Sequence, residues 1–150
     1  MKKLIFAALA SAAACLCVAF AACTETAPSG IEYTVEVSNN IIVAFVAPQS
    51  VDEKNLSVKD YFDGLVEAGK LTYEISDGMV ESINGQSNSA ATMSYWMFYS
   101  DLGELDGVAY TDPSYTYDYN GKELGSCNFG LELMPVVGGY TYVAVFDSLA

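Results

Sequence analysis

Side chains alternate between apolar and polar with a period of two along most of this chain, which leaves room for little helix. Ile31, Tyr33, Val35 and Val37 alternate with Glu32, Thr34 and Glu36, so one face of this segment is apolar and the other solvated, as in a strand. Asn39-Asn40 turns the chain into Ile41 to Ala47, and a hairpin opens the domain. Leu71 to Ile75, an Asp77-Gly78 turn and Met79 to Ile83 repeat the pattern. Ser82 to Thr92 reads as polar loop. Met93 to Tyr99 is the most apolar stretch of the body, with Tyr95, Met97 and Tyr99 on one face of a strand and Trp96 and Phe98 on the other. Tyr115, Tyr117 and Tyr119 alternate with Thr116 and Asp118 up to Asn120-Gly121, a type I′ hairpin signal. Gly138-Gly139 then turns into a last strand from Tyr140 to Phe146. One segment departs from this period. Val58, Tyr61, Phe62 and Leu65 follow helical spacing, with Ser57 placed to cap the amino end and Gly69 to stop the helix. The expected fold class is α+β, dominated by antiparallel β-sheet with one amphipathic helix.

The amino terminus is of another kind. Lys2 and Lys3 precede an apolar, alanine-rich run from Leu4 to Ala22, the order of an export signal. A retained membrane anchor is the alternative, although no basic stop-transfer cluster follows. Phe20-Ala21-Ala22-Cys23 resembles the lipobox of bacterial lipoproteins. That resemblance implies a signal peptide over 1–22, acylation of Cys23, and a body held by lipid on the outer side of the cell membrane; cleavage by ordinary signal peptidase after Ala21 or Ala22 is the other reading. Residues 23–30, with Pro28 and Gly30, read as a tether. Residues 31–150 remain for one domain, a length that suffices for an apolar core.

Charge and composition exclude several functions. Lysine supplies all six positive charges, arginine and histidine are absent, and 19 acids set the net charge at −13. Such a surface repels phosphate backbones, which excludes nucleic acid as a partner. Without histidine there is no Ser-His-Asp or Cys-His nucleophile system and no zinc site built on imidazole. Paired carboxylates are the remaining enzymatic device. Asp101, Glu104 and Asp106 share a turn-rich segment, with Asp112 and Asp118 beyond. A glycosidase needs one carboxyl with its pKa raised by burial, whereas these read as solvated surface acids. They also lack the spacing of an EF-hand calcium loop. No catalytic residue, metal ligand or resident cofactor is therefore expected. Cys127, left without a partner once Cys15 and Cys17 leave and Cys23 is acylated, has no adjacent base to activate it. The tyrosines at 115, 117 and 119 read either as a ligand platform or as a hairpin stabilised by cross-strand pairs.

Four motifs in order carry a wider resemblance. They are the helix segment Leu56-Ser57-Val58-Lys59-Asp60-Tyr61-Phe62 with Leu65 and Ala68-Gly69; Val80-Glu81-Ser82-Ile83-Asn84-Gly85; Ser94-Tyr95-Trp96-Met97-Phe98-Tyr99-Ser100; and Gly138-Gly139-Tyr140. Over Ile31 to Phe146 the chain resembles the C-terminal β-domain of the transcobalamin and intrinsic factor family, a module also similar to bacterial cell-surface domains. Thr111 to Phe129 reads as an insertion relative to that family, and Met97 stands where the vitamin carriers place a polar residue. The resemblance implies that Tyr95, Trp96, Phe98 and Tyr99 form a contact strand for one face of a corrin, with Ile83 and Asn84 beside it.

A corrin is a broad, mostly apolar disc with amides at its rim, which suits aromatic contact plus asparagine or backbone partners. With no histidine to offer cobalt, any bound cobalamin or other corrinoid keeps its own axial groups. The family's helical domain has no counterpart in this sequence, so the ligand is expected to be held weakly or shared with a second protein. The expected function is thus a non-catalytic, membrane-anchored extracytoplasmic binding protein for a corrinoid or similar flat small ligand. The rival reading is a cell-surface module that meets protein or glycan.

Overall fold

The computed structural model describes residues 34–37, 41–45 and 56–148; the expected signal peptide, Cys23 and the tether lie outside them. The described chain runs β1 (Thr34–Val37), β2 (Ile41–Phe45), α1 (Val58–Glu67), β3 (Tyr73–Ser76), β4 (Met79–Ile83), β5 (Gln86–Ser87), β6 (Ser94–Ser100), β7 (Glu104–Leu105), β8 (Val108–Ala109), β9 (Thr111–Tyr119), β10 (Lys122–Cys127) and β11 (Thr141–Ser148). It is an α+β fold dominated by antiparallel sheet. Six strands form the main sheet in the order β1-β2-β11-β6-β10-β9, so the last strand in sequence lies near the middle. β3-β4-β5 and β7-β8 form two smaller sheets.

Four Asx-Gly pairs account for the short connections. Asp77-Gly78, Asn84-Gly85, Asp106-Gly107 and Asn120-Gly121 each place both residues at positive φ, near +52° and then +78°. Each is a two-residue loop between paired strands. That is the type I′ arrangement, whose twist matches the strands it joins. Two of these hairpins correct the reading from sequence. Ser82 to Thr92 is not all loop, because Ser82 and Ile83 pair with Ser87 and Gln86 of β5. The acidic turn-rich segment contains β7 and β8, with Glu104 opposite Ala109. The stretch 111–129, set apart above as an insertion, supplies edge strand β9 and its neighbour β10 in the main sheet. Pro113 is tolerated in β9 because an edge strand has one side free of ladder bonds.

Helix α1 begins in a capping box: the Ser57 hydroxyl accepts from the Asp60 amide while the Asp60 carboxylate accepts from the Ser57 amide. It ends in a Schellman motif, with Lys70 N–H donating to Leu65 O and Gly69 N–H to Val66 O, and Gly69 at φ +66°. Val58, Tyr61, Phe62 and Leu65 are buried on one stripe. They pack with Ile42, Trp96, Tyr142 and Ala144 on one face of the main sheet, and with Val80 and Ile83 of β4, in a single cluster. Each such side chain contributes about 1.5–3 kcal/mol of burial. The Phe62 ring meets Tyr73 edge-on at 5.5 Å and Phe98 at 6.1 Å. The other face of the main sheet holds a second cluster of Leu124, Val143 and Val145 beneath Ile41, Tyr99, Tyr117 and Tyr119. No helix among the described residues is long and apolar enough to cross a membrane.

Candidate functional site

The alternation of β6 divides the aromatic residues between the two faces of the sheet. Trp96 and Phe98 point to the helix side and join the main core, whereas Tyr99 joins the cluster on the opposite face. Trp96 is nearly sealed. Its indole Nε1–H donates to Gln86 O at 2.8 Å, and its ring lies 5.3 Å from that of Phe146. Its role is therefore first that of a core residue whose one polar atom is satisfied.

The strand is nonetheless open along part of one edge. β11 pairs with β6 from Ser94 to Ser100, but β10 pairs with it only through Gly125–Ser100 and Ser126–Tyr99. From Tyr95 to Phe98, β11 is the only strand paired with β6 among the described residues. The Asn88 side chain stands in for the missing strand: its Oδ1 accepts from Trp96 N–H at 2.9 Å and its Nδ2 donates to Val80 O at 2.7 Å. One amide thereby joins β4 to β6.

Beside this edge lies a hollow of about 260 Å³, lined by Tyr95, Trp96, Met97 and Phe98 on one side. Gly78, Met79, Val80, Gly130 and Leu131 form the other, with Asn88 also on the wall. The two glycines let the backbone close in: a Cβ on Gly130 would lie 3.0 Å from Gly78 O. Met79 is 65% exposed at the rim. The lining is apolar apart from the Asn88 amide, the tyrosine hydroxyl and backbone groups, so it suits an apolar group held by contact with a hydrogen bond at its margin.

Of the six residues named from sequence, the structure brings Tyr95, Trp96 and Phe98 to this hollow. The other three are elsewhere. Tyr99 lies over the far face of the sheet. Ile83 is fully buried in the core, where a ligand has no access to it. Asn84 sits at φ +51° in its turn; its Oδ1 accepts from Thr72 N–H and its own N–H donates to Thr72 O, which fixes the turn rather than facing the hollow. Sequence reasoning missed Met79, Asn88, Gly130 and Leu131. The first and last look like ordinary strand and loop apolars, and Asn88 is one polar residue in a serine-rich stretch.

Cys127 and the Lys59, Asp63 and Tyr73 side chains are held by burial or by hydrogen bonds. Cys127 is a free thiol, and burial pushes its pKa up to about 12, so it is protonated and a poor nucleophile. Asp63 accepts from Lys59 at 2.8 Å and also from the Tyr73 hydroxyl. Burial acts to raise the Asp63 carboxyl, but those two hydrogen bonds outweigh it and the net shift is downward. Tyr73 is pushed up to about 12 by burial and by the same carboxylate. The first amides of α1 are also occupied, with Val58 N–H donating to Met134 O and Lys59 N–H to Leu131 O. Among the described residues, no group of three or more Cys, Asp or Glu side chains is placed to hold a metal ion. Comparison with known proteins finds no family model, curated protein or solved structure that matches the chain.

Proposed function

We propose that the protein is a non-catalytic, extracytoplasmic binding protein, tethered by lipid on Cys23, that seats the edge of a flat apolar ligand in the hollow beside Trp96. The carrying observation is the open edge of β6, where Tyr95 to Phe98 and the exposed Met79 border an apolar space of about 260 Å³. A corrinoid is the first ligand to test, because the order of the helix, Ile83-Asn84-Gly85 and Tyr95-Trp96 motifs resembles the transcobalamin β-domain. The hollow falls just below the roughly 300–1,000 Å³ of sites that enclose a small ligand. A disc as broad as a corrin therefore enters by one edge and leaves most of its area outside. Weak binding, or sharing of the ligand with a second protein, follows. Composition supports the non-catalytic reading, since the chain has neither histidine nor arginine to serve as base or oxyanion clamp.

The test is to titrate the full chain, held in mild detergent, with cobalamin and with cobinamide while recording the visible spectrum and the thermal midpoint. A ligand that binds only the folded state raises the midpoint as its concentration passes Kd. Met79→Asp, which puts a charge on the exposed rim, is expected to abolish that shift while leaving the unliganded midpoint nearly unchanged. No shift with either ligand, far above micromolar concentration, overturns the corrinoid assignment. A shift that Met79→Asp leaves intact overturns the placement in the hollow.

A further inference from the structure

The backbone groups along the open edge of β6 can be accounted for one by one. Hydrogen bonds leave a strand alternately to its two sides, and Trp96 N–H donates away from β11 to Asn88, so the even-numbered residues of β6 face this edge. Ser94 is satisfied there: its N–H donates to Ser89 O at 3.0 Å and its C=O accepts from Ser89 N–H at 2.8 Å. Ser100 meets Gly125 of β10, and that ladder ends one pair later at Tyr99–Ser126. Between these points Trp96 C=O and Phe98 N–H have no partner among the described residues. They flank Met97, and all three residues line the hollow of about 260 Å³. Trp96 is only 7% exposed, and backbone donors and acceptors in such surroundings are nearly always paired. One donor and one acceptor are thus left open on the same edge, at the spacing of a strand.

We infer that this open rung binds an extended peptide segment of another protein, which joins β6 as a short added strand. Whichever way the segment runs, one of its carbonyls accepts from Phe98 N–H and one of its N–H groups donates to Trp96 C=O. The protein already fills the neighbouring rung with an amide, that of Asn88, which bonds Trp96 N–H on one side and Val80 C=O on the other. Asn88 at one end and β10 at the other leave room for about three residues, roughly 10 Å of extended chain. A chain end or the tip of a loop therefore fits, and a long strand does not. Successive side chains of the segment fall alternately beside Met97 and beside Trp96 and Phe98, in a hollow whose walls carry no charged side chain. The chain as a whole stands at −13, which repels an acidic segment or a second copy of itself and favours apolar residues flanked by lysine or arginine. Binding of this kind needs only the β6 backbone, not the corrinoid assignment, and the two ligands compete for one hollow.

The test is amide hydrogen exchange read by nuclear magnetic resonance on the full chain in mild detergent, with the fluorescence of Trp96, the one tryptophan of the chain, as the titration signal. In the free protein the Phe98 amide should exchange far faster than those of Met97 and Tyr99, which pair with Val145 and Val143 of β11. The probes are the capped peptides acetyl-Lys-Val-Ala-Val-Lys-amide and acetyl-Lys-Val-Leu-Val-Lys-amide at millimolar concentration. At least one is expected to change the Trp96 emission and to slow Phe98 exchange by about tenfold or more. The same peptides N-methylated at their three central residues lack the donor for Trp96 C=O and should bind about tenfold more weakly. Versions with glutamate in place of lysine should not bind. A Phe98 amide as slow as that of Met97 in the free protein overturns the inference, because the rung is then filled by a second copy or by this chain. So does an unchanged Phe98 rate with both lysine peptides, equal binding of the N-methylated forms, or preference for the glutamate forms. Cobinamide binding is read from its own visible spectrum, so failure of the corrinoid reading is seen separately from failure of this one.

Discussion

Replacing Asn88 with alanine removes both ends of the link between β4 and β6. Trp96 N–H loses the Oδ1 acceptor at 2.9 Å and Val80 C=O loses the Nδ2 donor at 2.7 Å. A buried backbone group left without a partner costs about 1–3 kcal/mol. Here the residue is only partly buried, and water entering the space vacated by the amide recovers part of that loss, so the low end applies to each group. The expected destabilisation is about 2 kcal/mol, or a fall of roughly 8 °C in the thermal midpoint for a domain of this size. Asn88→Asp keeps the acceptor for Trp96 N–H but sets a carboxylate against Val80 C=O, so it should be destabilised as well. Hydrogen exchange reads the local effect directly: in Asn88→Ala the Trp96 amide should exchange much faster, while Tyr99, paired between β11 and β10, keeps its protection. Calorimetry and exchange on the two variants decide the matter. An Asn88→Ala midpoint within a degree or so of the parent, with the Trp96 amide still protected, refutes the claim that this side chain replaces a strand.

Ser57→Ala should lose the hydroxyl half of the capping box and cost about 1 kcal/mol by denaturant titration, with Ser57→Asp retaining most of it. Alkaline pH should destabilise the fold through groups whose folded pKa is raised. Cys127 moves from an ordinary 9.0 up to about 12 by burial, and Tyr73 from 10.0 up to about 12 by burial and Asp63. The stability each contributes is complete below its unfolded pKa and is lost as pH rises through the folded one. For Cys127 this is on the order of 4 kcal/mol at the upper limit. The unfolding free energy should therefore hold steady up to about pH 9 and fall steeply between pH 9 and 12, and Cys127→Ala should flatten the first part of that fall. Asp63 acts in the opposite direction: its lowered pKa adds stability above the unfolded 3.8 that is lost as pH falls below it.

Local chemistry made much of the fold legible. Ser57, Gly69 and the apolar stripe of α1 gave the helix to within a residue, and Asp77-Gly78 and Asn120-Gly121 gave two hairpins, because caps and type I′ turns depend on neighbours in sequence. The same chemistry at Asn84-Gly85 and Asp106-Gly107 was obscured because β5, β7 and β8 have two residues each, too short for alternation to register. Sheet order is a matter of long-range pairing and left no local mark. The placement of Trp96 and Phe98 against Tyr95 and Tyr99 on opposite faces follows from strand periodicity alone. Which pair meets the helix does not, since both faces of β6 are aromatic. The hollow was least legible, because it exists where β10 leaves β6, and half its wall comes from the Gly78 and Gly130 turns.

The position of β11 bears on how such a chain is made. Strands β2 and β6 have no other link across the sheet than this final segment, which pairs with Ile41–Phe45 on one side and Ser94–Ser100 on the other. A nascent polypeptide stopped before Thr141 therefore holds two half-sheets with raw edges and cannot lock into the native arrangement. Docking of Thr141–Ser148 is thus the event that closes the main sheet, whichever half has formed first.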